Sequence, residues 1–100
     1  MKAPAHRILY TREAKRNIDK LDASVRKLVR KAVESLAGEP ERGKPLSHEL
    51  AGLRSLRMSD YRIVYRAKGG ELVVLVVAVG HRREGYKRLG ELRDLAGRKK

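Results

Sequence analysis

One hundred residues suit a single domain over positions 1–100, since most domains hold roughly 50 to 250 residues. The 25 Lys and Arg residues against 12 Asp and Glu give a formal charge of +13, which favours a polyanionic partner such as nucleic acid. With no Cys there can be no disulfide, thiolate zinc site or Cys nucleophile, and with Tyr as the sole aromatic type the core must be aliphatic. The longest apolar run, residues 72–79, is far short of the ~20 needed to span a bilayer, so the expectation is a cytosolic protein without a membrane partner.

In chain order, HRILY at 6–10 reads as a short strand, and Thr11 follows as an N-cap whose hydroxyl can accept from free amide groups at a helix start. Beyond it Ala14, Ile18 and Leu21 recur at helical spacing opposite Lys15, Arg16, Asp19 and Lys20, giving a one-sided amphipathic helix. Asp22 or Ser24 can cap a second helix, whose apolar stripe is Val25, Leu28, Val29, Ala32, Val33 and Leu36; Gly38 and Pro40 stop it. Arg26, Lys27, Arg30 and Lys31 fall on its outer face, the ordinary place for solvated charge. Residues 38–52, GEPERGKPLSHELAG, are rich in turn formers and read as a connector with one helical turn around 47–50.

Strands are expected at 53–59, 61–68 and 71–79. In LRSLRMSDYRIVYR, apolar and basic residues alternate at the period of a strand. Tyr61, Ile63, Tyr65 and Ala67 take one face, and Arg62, Val64, Arg66 and Lys68 the other. Gly69-Gly70 suits a two-residue hairpin, and the final strand is apolar on both parities, which places it centrally. After Gly80 the spacing of Leu89, Leu92 and Ala96 suggests a weak C-terminal helix interrupted by Gly90 and Gly97. The fold class is therefore α+β: an N-terminal strand and helical hairpin packed on a mainly antiparallel sheet, in the order β-α-α-β-β-β.

Three dispersed His residues provide no metal-ligand spacing, and there is no Walker-type loop, GxSxG elbow or close carboxylate pair, so no metal or other cofactor is expected. What remains is Arg57, Arg62, His81, Arg82 and Tyr86 around the ends of adjacent strands. Paired antiparallel, Arg57 and Arg62 converge across the turn at Ser59-Asp60, and Arg82 can join them. Converging guanidinium groups favour an anion among them, and their planar forks suit phosphate oxygens. A pentavalent phosphorane carries more negative charge than the diester it forms from, so such a cluster has the chemistry for RNA strand scission. Tyr86 can stack on an unpaired base. Lys44, Arg54, Arg66, Arg83 and Lys87 are the accompanying candidates for RNA contact. Plain backbone-phosphate contact, without catalysis, is the competing reading of the same basic residues.

The segments YTREAKRNIDKL, VRKLVRKAVESL, GKPLSHELAGLRSLRMSDYRIVY and VVAVGHRREGY together resemble the RelE/ParE superfamily of toxin-antitoxin toxins, over nearly the whole chain. Tyr86 makes the likeness closer to RelE-type ribosome-dependent messenger RNA endonucleases than to ParE-type gyrase inhibitors. The resemblance implies a cytoplasmic toxin that needs no metal or small-molecule cofactor and whose partners are the ribosome, messenger RNA and a cognate antitoxin. It implies that Tyr86 stacks on the A-site message, Arg62 stabilises the phosphorane, Arg82 assists the leaving 5'-oxygen and Arg57 orients or polarises the nucleophile. Where the family archetype has lysines this chain has Ser55 and Arg57, and a guanidinium is a poor general base. His81 stands where related members use His, and is the nearby group suited to proton transfer near neutrality; a structural role for it is the alternative. Ser59 occupies a position where the family often has Gly. A gyrase inhibitor and an inactive RNA-binding module remain the two other functional readings.

Overall fold

The computed structural model describes residues 6–47, 50–68, 70 and 72–81. In chain order these form β1 (Arg7–Tyr10), α1 (Arg12–Asp19), α2 (Ala23–Gly38), β2 (Lys44–Pro45), β3 (Arg54–Met58), β4 (Tyr61–Lys68) and β5 (Val73–His81). Among the described residues the strands make one sheet in the order β1-β5-β4-β3-β2, parallel between β1 and β5 and antiparallel elsewhere. This is the expected α+β arrangement with one addition. The segment read as a connector with one helical turn around 47–50 also contains β2, a two-residue edge strand paired with β3. Pro45 conceals it from propensity, yet an edge strand tolerates a residue without an amide donor.

Thr11 caps α1 as expected, its hydroxyl accepting from the Ala14 amide at 3.0 Å. Asp22 holds the N-cap position of α2, although its side chain makes no capping hydrogen bond. The helices cover one face of the sheet. Ala14 and Ile18 from α1 and Val29, Val33 and Leu36 from α2 pack with Ile63, Tyr65, Val74, Val76 and Val79. Leu28 departs from the expected stripe and is 52% exposed. It precedes Val29 by one residue, about 100° around the helix, which carries it past the edge of the buried face.

The central strand, β5, carries a bulge. Val64 pairs with Ala78 and Tyr65 with Val76, leaving Val77 as the extra residue. Val77 and Ala78 consequently both pack in the second apolar cluster, with Leu50, Leu53 and Val64, on the face away from the helices. Beyond the short reach of β1, α1 satisfies the edge of β5. The Thr11 hydroxyl donates to the Val77 carbonyl at 2.7 Å, and the Val79 amide donates to Asn17 Oδ1 at 3.0 Å.

The two hairpin turns differ. The β4–β5 ladder closes on Lys68 and Val73, so four residues intervene where a two-residue glycine turn was expected, and Leu72 carries a positive φ of 52°. The β3–β4 turn is the two-residue one: Met58 pairs with Tyr61, and Ser59 has φ 57°. A left-handed conformation costs a residue with a Cβ roughly 1–2 kcal/mol, against roughly 0.5–1 kcal/mol for the greater unfolded-state freedom of glycine. Ser59→Gly is therefore expected to stabilise the fold by about 0.5–1 kcal/mol, read as a Tm higher by about 3–6 °C in a thermal melt.

Candidate nucleic-acid interface

The tight turn at Ser59-Asp60 makes Arg57 and Arg62 direct cross-strand partners, and Arg62 is in turn opposite Gly80 on β5. Cross-strand partners share a face, with Cα atoms roughly 4.5–5.5 Å apart. Arg57 and Arg62 therefore lie side by side on the face away from the helices, bordered on β5 by a residue without a side chain. Arg57 is exposed and Arg62 half-buried. Two residues along the same face, Ser55 and Val64 continue the row to Lys44 on β2. Three neighbouring strands thus each present one cation to the same side. Arg66 follows farther along β4, with its guanidinium beside the loop before β3: a Cβ added at Gly52 would lie 3.9 Å from Nη2.

Arg54 is placed differently. It is opposite Tyr65, on the helix-covered side, and Nη1 donates to the carbonyls of Gly43 at 2.7 Å and Glu41 at 3.3 Å. Its guanidinium holds the chain leading into β2. Tyr65 does the same from beneath: fully buried, its hydroxyl accepts from the Gly43 amide and donates to the Pro40 carbonyl, both at 2.8 Å. Burial pushes the Tyr65 phenol above its ordinary value of 10.0, opposed by the Gly43 amide and the nearby Arg54 and Arg42 charges. No local sequence pattern marks the Tyr65–Gly43 contact, which joins residues 22 apart.

His81 pairs with Tyr61, which pairs with Met58. That row belongs to the helix side, and the Tyr61 and His81 rings meet edge-on with centroids 5.3 Å apart. The bulge at Val77 is the cause, because the extra residue shifts every later side chain of β5 to the opposite face from strict alternation. The structure thus brings Arg57, Arg62 and Lys44 together on one face and sets His81 on the other, at the sheet's end. Arg82, Arg83, Tyr86 and Lys87 lie outside the described residues, as does the expected C-terminal helix. Among the described residues no three His, Asp or Glu side chains gather as a possible metal site, and no helix is long and apolar enough to cross a membrane.

A concavity lined by Tyr10, Lys15, Ile18, Asp19, Arg30 and Glu34 lies between β1 and the helices. Its two cations are matched by two carboxylates, so it offers a polyanion little attraction. The basic face of the sheet is the stronger candidate.

A helix-backed sheet sets cations from three adjacent strands on the face away from the helices, an arrangement suited to an anionic partner. Residues 8–86 match the family described as the ParE toxin of type II toxin-antitoxin system, parDE, and the chain belongs to this toxin family. It is similar to Toxin RelG of Mycobacterium tuberculosis (strain ATCC 25618 / H37Rv), 37% identical over 83 residues that cover 81% of this chain and 95% of that protein. The RelBE2 toxin-antitoxin complex from M. tuberculosis contains a chain that superposes with a TM-score of 0.76 at 33% identity, over 83% of this chain and 98% of that one. A free E. coli toxin RelE mutant, at 20% identity, superposes with a TM-score of 0.74 over 93% of this chain and 98% of that one, a likeness of fold.

Proposed function

We propose that this toxin is a ribosome-dependent endoribonuclease that cuts messenger RNA in the A site and so inhibits translation. The observation that carries the reading is the cross-strand pair Arg57 and Arg62 on the sheet face away from the helices, with Lys44 on the neighbouring strand. The 2'-oxygen of the ribose attacks the adjacent phosphorus, the bond to the 5'-oxygen breaks, and the products are a 2',3'-cyclic phosphate and a 5'-hydroxyl. The proton lost from the 2'-hydroxyl is balanced by one gained at the leaving oxygen. Arg62 holds the non-bridging oxygens as phosphorane charge develops, and Arg57 orients the nucleophile. Arg82 assists the leaving oxygen and Tyr86 stacks on the message, roles that rest on the family likeness. Charge stabilisation falls to guanidinium groups, so the step is assigned no metal.

The proton-transfer role considered for His81 is set against its place on the opposite face, edge-on to Tyr61, which favours the structural alternative. The cognate antitoxin is a protein bearing an acidic or amphipathic segment that neutralises the basic face; M. tuberculosis RelBE2 is itself a toxin-antitoxin complex. Lys44 and Arg66 add contacts to RNA phosphates.

The test is a translation extract programmed with a defined message and supplied with the purified toxin. Cleavage at fixed codon positions, absent when ribosomes are withheld, is the expected result. An intact message overturns the assignment. The match to ParE toxins favours a second reading, inhibition of DNA gyrase, which a supercoiling assay distinguishes: loss of supercoiling with intact messages establishes it instead.

A further inference from the structure

We propose that Tyr65 is a positioning residue for the basic face, acting through its buried hydroxyl to set Lys44 in line with Arg57 and Arg62; the inference rests on reading that face as the RNA surface. Lys44 opens a strand of two residues, too short to hold itself by ladder bonds against the entropy of the preceding loop. Its register must come from elsewhere, and the structure supplies a clamp immediately before it. The Tyr65 hydroxyl bridges the Pro40 carbonyl and the Gly43 amide. From the other side of the turn, Arg54 ties down the carbonyls of Glu41 and Gly43. Gly43 is buried so tightly in this grip that an added Cβ would fall 2.7 Å from the Tyr65 oxygen and 3.0 Å from the Ser55 carbonyl carbon. Only glycine allows the loop to approach so closely.

The next residue is Lys44, laid opposite Ser55 on the face of the arginine pair. Its side chain is exposed, and a lysine on an untethered loop would spread its charge over many positions. Fixed at the backbone, it places that charge beside Arg57. Tyr65 thus works on both sides of the sheet, packing in the helix-side core while ordering a cation that serves the opposite face. A merely core-filling tyrosine would have no need of the hydroxyl, and its loss would not depend on what residue stands at position 44.

The experiment measures binding of the full-length chain to a labelled single-stranded oligoribonucleotide across a salt series, for wild type, Lys44→Ala, Tyr65→Phe, the double variant and Arg62→Ala, with a thermal melt of each. Lys44→Ala is expected to weaken binding several-fold and to flatten the logarithmic salt slope by about 0.7, one phosphate contact on a single strand. Tyr65→Phe is expected to cause much of the same loss while the lysine is still present. In the double variant the two losses do not multiply. Tyr65→Phe binding like wild type, or losses that multiply, overturns the inference. Arg62→Ala separates the two levels: if it and Lys44→Ala both leave affinity and slope unchanged, the RNA reading of the face is what fails. Should Tyr65→Phe not fold, Arg54→Met keeps the aliphatic stem but removes both hydrogen bonds to the Glu41 and Gly43 carbonyls, and it is expected to show the same coupling to Lys44→Ala.

Discussion

Arg62→Ala is expected to lower message cleavage by about 10²–10³-fold, the loss typical of removing one preorganised donor from developing oxyanion charge. Arg62 is the half-buried member of the pair, on the central side of the row between Arg57 and Gly80, and so sits where water competes least for its fork. Arg62→Lys keeps the charge but loses the planar two-point grip on phosphate, so its activity is expected to fall between wild type and the alanine variant. Arg57 and Arg62 would grip a single anion, and their effects should therefore be less than additive in cleavage. Like charges placed directly across a strand pair disfavour the folded state, so Arg62→Ala should melt within a few degrees of wild type. A polyanion that binds only the folded chain raises its Tm, and that rise should be smaller for the variant. Near wild-type cleavage by Arg62→Ala would remove the arginine pair from the mechanism.

That pair was legible in the sequence because its geometry depends only on local features. Strand alternation fixed its parity, and a turn at 59–60 makes positions 57 and 62 partners by counting. Position 81 was not legible in the same way. An uninterrupted apolar run gives no contrast between faces, so nothing in LVVLVVAV marks where an extra residue enters. Strict alternation from Val74 would place His81 with Val77, on the arginine side; the bulge places it with Tyr61. Lys44 illustrates a second limit. Its strand exists because Tyr65 and Arg54, distant in sequence, hold the turn before it, and no local propensity encodes such a contact. Leu28 shows the opposite case, a periodic match at the margin of the stripe that the folded helix leaves exposed. The two-helix layer itself was readable, since Val29, Val33 and Leu36 lie within one narrow arc.

Replacing Asn17 tests whether the end of β5 is held from α1. Asn17 accepts from the Val79 amide and donates to Glu13 Oε2, each at 3.0 Å. It stands where β1 has ended and the strand would otherwise present an unpaired edge. Asn17→Leu preserves size but leaves a partly buried amide without its acceptor, at a cost of about 2 kcal/mol, or roughly 8–16 °C in Tm for a domain of this length. Asn17→Asp restores the acceptor while setting a second carboxylate within about 3 Å of Glu13, which favours the protonated form in the folded state. A proton bound more tightly by the folded chain contributes stability at low pH that is lost as pH rises. The aspartate variant should therefore approach wild-type stability on acidification, and the leucine variant should not. Hydrogen exchange localises the effect: Val79 and its neighbours toward His81 should lose protection in Asn17→Leu, while Val74 and Val76, paired with β1 and β4, keep theirs. Because Gly80 in this segment lies directly against Arg62, cleavage by the leucine variant should fall even at temperatures where the chain remains folded. Unchanged exchange at Val79 would show that the bulged strand holds its end without help from the helix.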